Sequence, residues 1–544
     1  MKYLYLILVL IVAACSAPKE EQISEEDSLG VLNHQFSISE KAKEGFEKGL
    51  LLLHSFEYED AREAFQEAVA ADSTEMMAQW GEAMSYYKAL WGLQDVEAGR
   101  AVMNRLGATK DERLSKAENE LEADFWQALE ILNGEAELKE RHEAYVDYMA
   151  ELHEKYPNNH EVGAFYALGL IWATDYGQVT AENKLSGRIA EGILKENPRH
   201  PGALHYKIHA YDNPVMAIQA IDVADEYSKV APDATHALHM PSHIYLSLGM
   251  WDGVVSSNEA SYAASVKKLE RRNLSDGQRG YHSYSWLHYG YLQQGRFEKA
   301  TEMMRDMLDY VPRDPTKQAR SYLISMQNKQ LVETNKWDPD LIADLDVKVA
   351  DLSIVSAAEL AFFRGYLSLL EEDAEEISTQ IEDLSHKIEI AKLEVGEEGA
   401  ALCAAGQTRY APNEDAIRAS QVLLQQIKSF QAKLSGDQNA YEEAIKTATE
   451  MEAESDFAAG PPEIAFPSFE QYGLWLLEQK RYEEALVQFE TSLTRTPRRA
   501  KALQGKLAAL QGLGKSEEGA EVKKELETIW TMADDEVSKL IAGL

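Results

Sequence analysis

At 544 residues the chain exceeds what one hydrophobic core holds together, so it is either several domains or a repeat array. Its net charge of −38, from 92 acidic against 54 basic residues, repels phosphate backbones and anionic headgroups and argues against nucleic acid as a partner. A 45% hydrophobic content excludes global disorder, and richness in Ala, Leu, Glu and Lys with only 15 prolines predicts an all-α fold.

Residues 1–15, MKYLYLILVLIVAAC, place Lys2 before an apolar run from Leu4 to Val12. This reads as a secretory leader, too short for a membrane span. Val12-Ala13-Ala14-Cys15 resembles the lipobox of bacterial lipoproteins, which implies that Cys15 becomes the lipidated N-terminus. Lys19-Glu20-Glu21 resembles an acidic surface-export tag of Gram-negative lipoproteins. The expected location is therefore the Gram-negative cell envelope, held to a membrane through the lipid only. Residues 16–36 are polar and expected to be a flexible tether. With Cys15 assigned, Cys403 has no intramolecular partner, so any metal must be held by nitrogen and oxygen.

Helical repeats are expected from residue 37 onward: N-terminal repeats over 37–160, a histidine-rich central set over 161–312, and helices with an irregular connector over 313–456. A last unit with capping helices covers 457–544. Counted from Ala42, the residues Gly49, Leu52, Ala61, Phe65 and Ala68 fall at offsets 8, 11, 20, 24 and 27. Counted from Phe466, the same scheme places Gly473, Leu476, Ala485 and Phe489 at offsets 8, 11, 20 and 24. Between the units, Glu397 to Asn413 reads as an irregular connector and 457–467, FAAGPPEIAFP, as a break.

The chemistry concentrates in residues 198–249. His205 and His209 are four apart, as are His239 and His243, so each pair shares one helix face, one turn apart. The two pairs lie 34 residues apart, the period of the tetratricopeptide (TPR) helix-turn-helix repeat. Residues one period apart in a stacked solenoid face the same way from neighbouring helices. Four imidazoles are thus predicted to converge on one wall, and His236 and His282 extend the cluster to six.

These stretches resemble a family of bacterial tetratricopeptide lipoproteins and secreted proteins, over essentially the whole mature chain. The match is carried by FEKGLLLLHSFEYEDAREAFQEA (46–68), HPGALHYKIHAYDNP (200–214), HALHMPSHIYLSLGMWD (236–252), WLHYGYLQQGR (286–296) and GPPEIAFPSFEQYG (460–473). The resemblance implies a right-handed superhelical solenoid and maps His200, His205, His209, His239, Pro241 and His243 onto the family motif. It implies no activity. Two positions depart from the pattern: Lys88 stands where relatives often have His, and Val215-Met216 follows the Asp212-Asn213-Pro214 turn where a His is common. The family geometry lines the concave face with first-helix offsets 2, 5, 9, 12 and 13. With repeats from Pro201, Thr235 and Tyr281, His205 and His239 take offset 5, and His209 and His243 take offset 9. His236 and His282 take offset 2, and Asp212 takes offset 12.

Neutral imidazole is the commonest ligand for transition metals, and an i, i+4 pair can grip one ion. An all-nitrogen set with one possible carboxylate, Asp212, suits zinc or copper. His200 is expected as a supporting contact before the helix, and Pro241 as a kink between His239 and His243. Ordinary hydrogen bonding to Tyr206, Tyr211 and Tyr245 is the competing account of the quartet. His288 is read as a satisfied core residue, while His34, His54, His142, His153, His160 and His386 carry no comparable pattern. Trp80, Trp91 and Trp172 are read as packing residues, and Glu452 and Glu454 as solvated. There is no HExxH, phosphate-binding glycine loop or GxSxG. The leading reading is a lipid-anchored solenoid that binds a transition metal, or a metal-held ligand, in its groove. A metal-free scaffold taking a protein or peptide there, and a metal-dependent hydrolase or oxidase, are the alternatives.

Overall fold

The computed structural model describes residues 28–91, 93–174, 177–336, 341, 348–395 and 410–543. The leader with Cys15, most of the tether, and Cys403 with most of its connector lie outside these residues. The described chain is an all-α solenoid of antiparallel helix pairs, with one two-residue hairpin pairing Tyr87–Lys88 with Leu93–Gln94. Among the described residues no helix is long and apolar enough to cross a membrane.

The helix pairs form because each sequence unit alternates small and large residues where its helices cross. Phe65, on the helix Tyr58–Ala71, is fully buried between two glycines. A Cβ at Gly49 would lie 2.7 Å from its ring, and one at Gly81 only 2.3 Å. Phe489 repeats the device between Gly473 and Gly505, at 2.8 and 2.1 Å. Side-chain caps start many helices: Asn159, Thr180, Thr316, Ser353 and Asn413 each accept a hydrogen bond from an amide of the first turn.

The superhelix winds tightly enough for distant repeats to touch. Residues 28–36, expected in the tether, instead pack on the body of the protein. Val31 donates its amide to the Arg199 carbonyl (3.0 Å), and Phe36 joins an aromatic cluster with Phe46 and Phe125. Amphipathic burial of Phe36 outweighs the polar composition around it. Farther along, Lys268 pairs with Glu57 (2.7 Å) and Asp60 (2.6 Å), tying the first repeat to the central set. The C-terminal helices close back as well. Trp251 Nε1 donates to the Arg498 carbonyl (2.9 Å), and Trp530 Nε1 donates to that of Gln293 (3.0 Å).

Arg499 is the buried centre of that closure. Its guanidinium donates to Glu470 Oε1 (2.6 Å) and the Tyr289 hydroxyl (2.6 Å), and pairs with Glu333 Oε1 (2.6 Å) with no solvent exposure. Removing it strands two carboxylates in a low-dielectric interior. Arg499→Met is therefore expected to destabilise the protein by about 3–5 kcal/mol, read as a lower urea midpoint. A loss below 1 kcal/mol, on the order of an exposed pair, would refute this role.

Candidate metal centre

Three helices from successive repeats deliver the histidines. The helix Pro201–Ala210 starts with proline at its first position, capped by His200, whose ring Nδ1 accepts from the Ala203 amide (3.2 Å). Next, Thr235–His239 and Pro241–Ser247 form one helical path broken at Met240, as the missing amide of Pro241 dictates. His282 sits in the first turn of Tyr281–Gln293.

The six rings do come together, but as two groups of three rather than a single group of four. The ligand nitrogens of His205, His209 and His236 lie within 4.8 Å of one another, as do those of His239, His243 and His282. His205 Nε2 is 3.1 Å from both His209 Nε2 and His236 Nε2, and His239 Nε2 is 3.1 Å from His243 Nε2. Nitrogens sharing one tetrahedral ion at bonds of about 2.0–2.1 Å stand roughly 3.3 Å apart, so this spacing is close to a coordination edge.

The opposite ring nitrogens of four of the six are tied down. His205 Nδ1 donates to the His54 carbonyl (2.7 Å) and His239 Nδ1 to Asn258 Oδ1 (2.7 Å). His243 Nδ1 donates to Asp212 Oδ2 (2.6 Å), and His282 Nδ1 bonds the Tyr322 hydroxyl (2.8 Å). Carbonyl and carboxylate acceptors force the proton onto Nδ1 and leave the Nε2 lone pair for an ion. Asp212, expected as a possible ligand, thus acts behind His243. Two of the three tyrosines offered as partners of the quartet bond elsewhere: Tyr206 OH bonds His54 (2.8 Å) and Tyr245 OH donates to Asp225 (2.6 Å). Burial first, and neighbouring imidazoles next, hold His205, His209, His236 and His239 well below the ordinary imidazole value. These rings are neutral at pH 7, the form that binds metal.

Each group rests on an aromatic ring. Phe56 packs on His205 (4.2 Å between centroids), His236 (5.6 Å) and His209 (6.0 Å). Trp286 packs on His243 (4.5 Å), His239 (4.8 Å) and His282 (5.4 Å). Phe56 has φ +57°, in a turn whose counterparts in later repeats are Gly249, Gly295, Gly436 and Gly514 but also Glu372 (φ +59°) and Lys480 (φ +60°). A bulky side chain held in the left-handed region costs on the order of 1 kcal/mol or more, and this one is retained against His205.

His209, His236, His243 and His282 face a cavity of about 1020 Å³, also lined by Trp91 and Trp286. Segment 457–467, the expected break, contributes much of its wall. Gly460 lies against Trp286, where a Cβ would come within 2.5 Å of the indole. Elsewhere the cavity meets Lys329, Tyr410 and Glu452.

Several residues were not legible beforehand. His54, which showed no pattern, donates Nε2 to Glu161 Oε2 (2.8 Å), and His200 Nε2 stands 3.4 Å from Glu161 Oε1; all three are fully buried. Burial opposes ionisation of Glu161, yet the His54 and His200 imidazoles bring its carboxyl well below the usual range. His200, expected as a supporting contact before the helix, belongs to a buried triad behind the cluster. His288 is a core residue bonded to Gln330 (2.9 Å), and Trp80 packs in the core, as expected. Trp91 instead lines the cavity 5.8 Å from His236. Glu452 is not solvated: it is 7% exposed and accepts from the Ser468 amide (2.6 Å).

No protein-family model matches the chain, and no curated protein matches it by sequence. Solved structures match more remotely. Ypp1 is 9% identical over 89% of this chain and 87% of its own, at a TM-score of 0.39. A human IFIT1 dimer with PPP-AAAA is 12% identical over 91% and 96%, at 0.37, and yeast Tom70 13% over 88% and 96%, at 0.34. The fold assignment rests on the helix packing described above.

Burial raises the Glu452 carboxyl to about 7. A raised carboxyl contributes stability that is complete below its unfolded value and lost as pH rises through 7. Glu452→Gln is therefore expected to match the wild type in urea midpoint near pH 4.5 and to gain on it steadily towards pH 8, by about 3 kcal/mol at most. A pH-independent difference would contradict the burial-driven shift.

Proposed function

We propose that this protein is an exported, lipid-anchored helical-repeat protein that binds a transition metal, zinc or copper, through the histidine cluster in its interior cavity. One observation carries the reading. Imidazoles from three successive repeats bring their ligand nitrogens together while acceptors occupy Nδ1 of His205, His239 and His243 and the Tyr322 hydroxyl bonds that of His282. Hydrogen bonding alone gives no reason to gather six mostly buried bases, since neutral rings facing through Nε2 share too few protons to satisfy one another. A metal ion supplies what those lone pairs lack. The leader ending at Cys15, and the motif resemblance to tetratricopeptide lipoproteins, support placement in the cell envelope.

The cavity's size favours a small ligand held at the metal over an extended peptide, since small-molecule sites span about 300–1,000 Å³. The metal-free scaffold reading makes a different forecast: chelators would change neither stability nor partner binding.

Protein purified without a histidine tag is expected to contain metal by elemental analysis. His205→Ala with His239→Ala should abolish it, and Asp212→Asn, which loosens the hold on His243, should weaken affinity about 10–100-fold. Metal content unchanged in the double variant would overturn the reading.

A further inference from the structure

The cluster divides along the repeat architecture itself. One trio takes offsets 5 and 9 of the repeat from Pro201, His205 and His209, with offset 2 of the next, His236. The other takes offsets 5 and 9 of the repeat from Thr235, His239 and His243, again with offset 2 of the next, His282. Stepping one repeat along the solenoid carries the first set onto the second. No histidine belongs to both groups.

The surroundings repeat with the ligands. In each trio the offset-5 ring, His205 or His239, is the most buried and is anchored at Nδ1 by an amide-type oxygen, the His54 carbonyl or Asn258 Oδ1. An aromatic ring, Phe56 or Trp286, backs each trio. The remaining two members of each trio, His209 with His236 and His243 with His282, face the cavity.

We infer that the centre is dinuclear: one ion on His205, His209 and His236, and a second on His239, His243 and His282. This deepens the metal-binding reading and rests on it. Three protein ligands leave a coordination position open on each ion. The trios adjoin, with His209 and His243 centroids 5.6 Å apart and those of His236 and His239 6.0 Å apart. A small anion entering from the cavity therefore reaches both ions and bridges them. Such a bridge is electrostatically favoured, because neither trio includes a carboxylate ligand to offset the cations, and Asp212 stands only behind His243. Copper is the ion of choice, since nitrogen donors without oxygen rank it above its first-row neighbours.

The test titrates metal-free, tag-free protein with Cu(II) in the presence of azide as the bridging anion. Bound copper is counted by mass spectrometry and unpaired spins by electron paramagnetic resonance. The expected result is two coppers per chain with far fewer than two spins, because bridged ions couple. His205→Ala/His209→Ala and His239→Ala/His243→Ala should each keep one copper with a full single-spin signal, their folding checked by helical circular dichroism. If either fails to fold, the single changes His236→Ala and His282→Ala at the cavity wall replace them, each weakening one copper at least tenfold.

One copper per chain, lost entirely in either double variant, would overturn the dinuclear assignment and leave the metal reading standing. Two coppers with two uncoupled spins would overturn the bridged pair. No bound copper or zinc, or two coppers untouched by every variant, would overturn both readings.

Discussion

A neutral imidazole has one proton and two nitrogens, and the centre depends on where that proton is kept. The bond from His205 Nδ1 to the His54 carbonyl settles the matter for the most buried ring, with the carbonyl itself unable to donate. His239 and His243 are settled in the same way by Asn258 and Asp212. With Nδ1 protonated, each Nε2 becomes a directed lone pair, and burial keeps those of His205 and His239 from being taken by a solvent proton. Without those acceptors the same rings would be free to turn over, and their convergence would carry no chemistry.

The tethers come from elements far away in the chain, so the coil of the solenoid is part of the site. The carbonyl of His54 reaches His205 because the first repeat packs on the helix Pro201–Ala210, held there by Tyr206 and the ionised Glu161 between His54 and His200. Phe56 follows two residues later, in a strained turn that seats its ring against His205. Gly202 is required at this crossing, since a Cβ would lie 2.4 Å from His54 Nδ1. A strained turn, a buried carboxylate and a close helix approach thus converge on one hydrogen bond.

The rest of the cavity is charged differently from the histidine wall. Burial raises Glu359 and Glu452 to about 7, while it lowers the amine of Lys329. The same cavity is also lined by Glu59, Lys88, Asp415, Asp456 and Arg495, so charged side chains share one space with the histidine wall. Most acidic side chains among the described residues are wholly or partly exposed to solvent.

Local spacing was readable from the residues alone. The interlock of Phe65 with Gly49, the i, i+4 histidine pairs, their 34-residue recurrence and the break at Pro241 all follow from helix geometry, which operates within one or two repeats. The division into two trios was not readable, because it depends on whether His236 leans back to His205 or forward to His239. Nor were the roles of His54, Glu161, Asn258 and segment 457–467, whose contacts join residues from 19 to more than 100 positions apart. A repeat period states which face of a helix a residue occupies. It does not state how far the superhelix has turned after several repeats, and small rotations accumulated over the coil decide which distant segments meet.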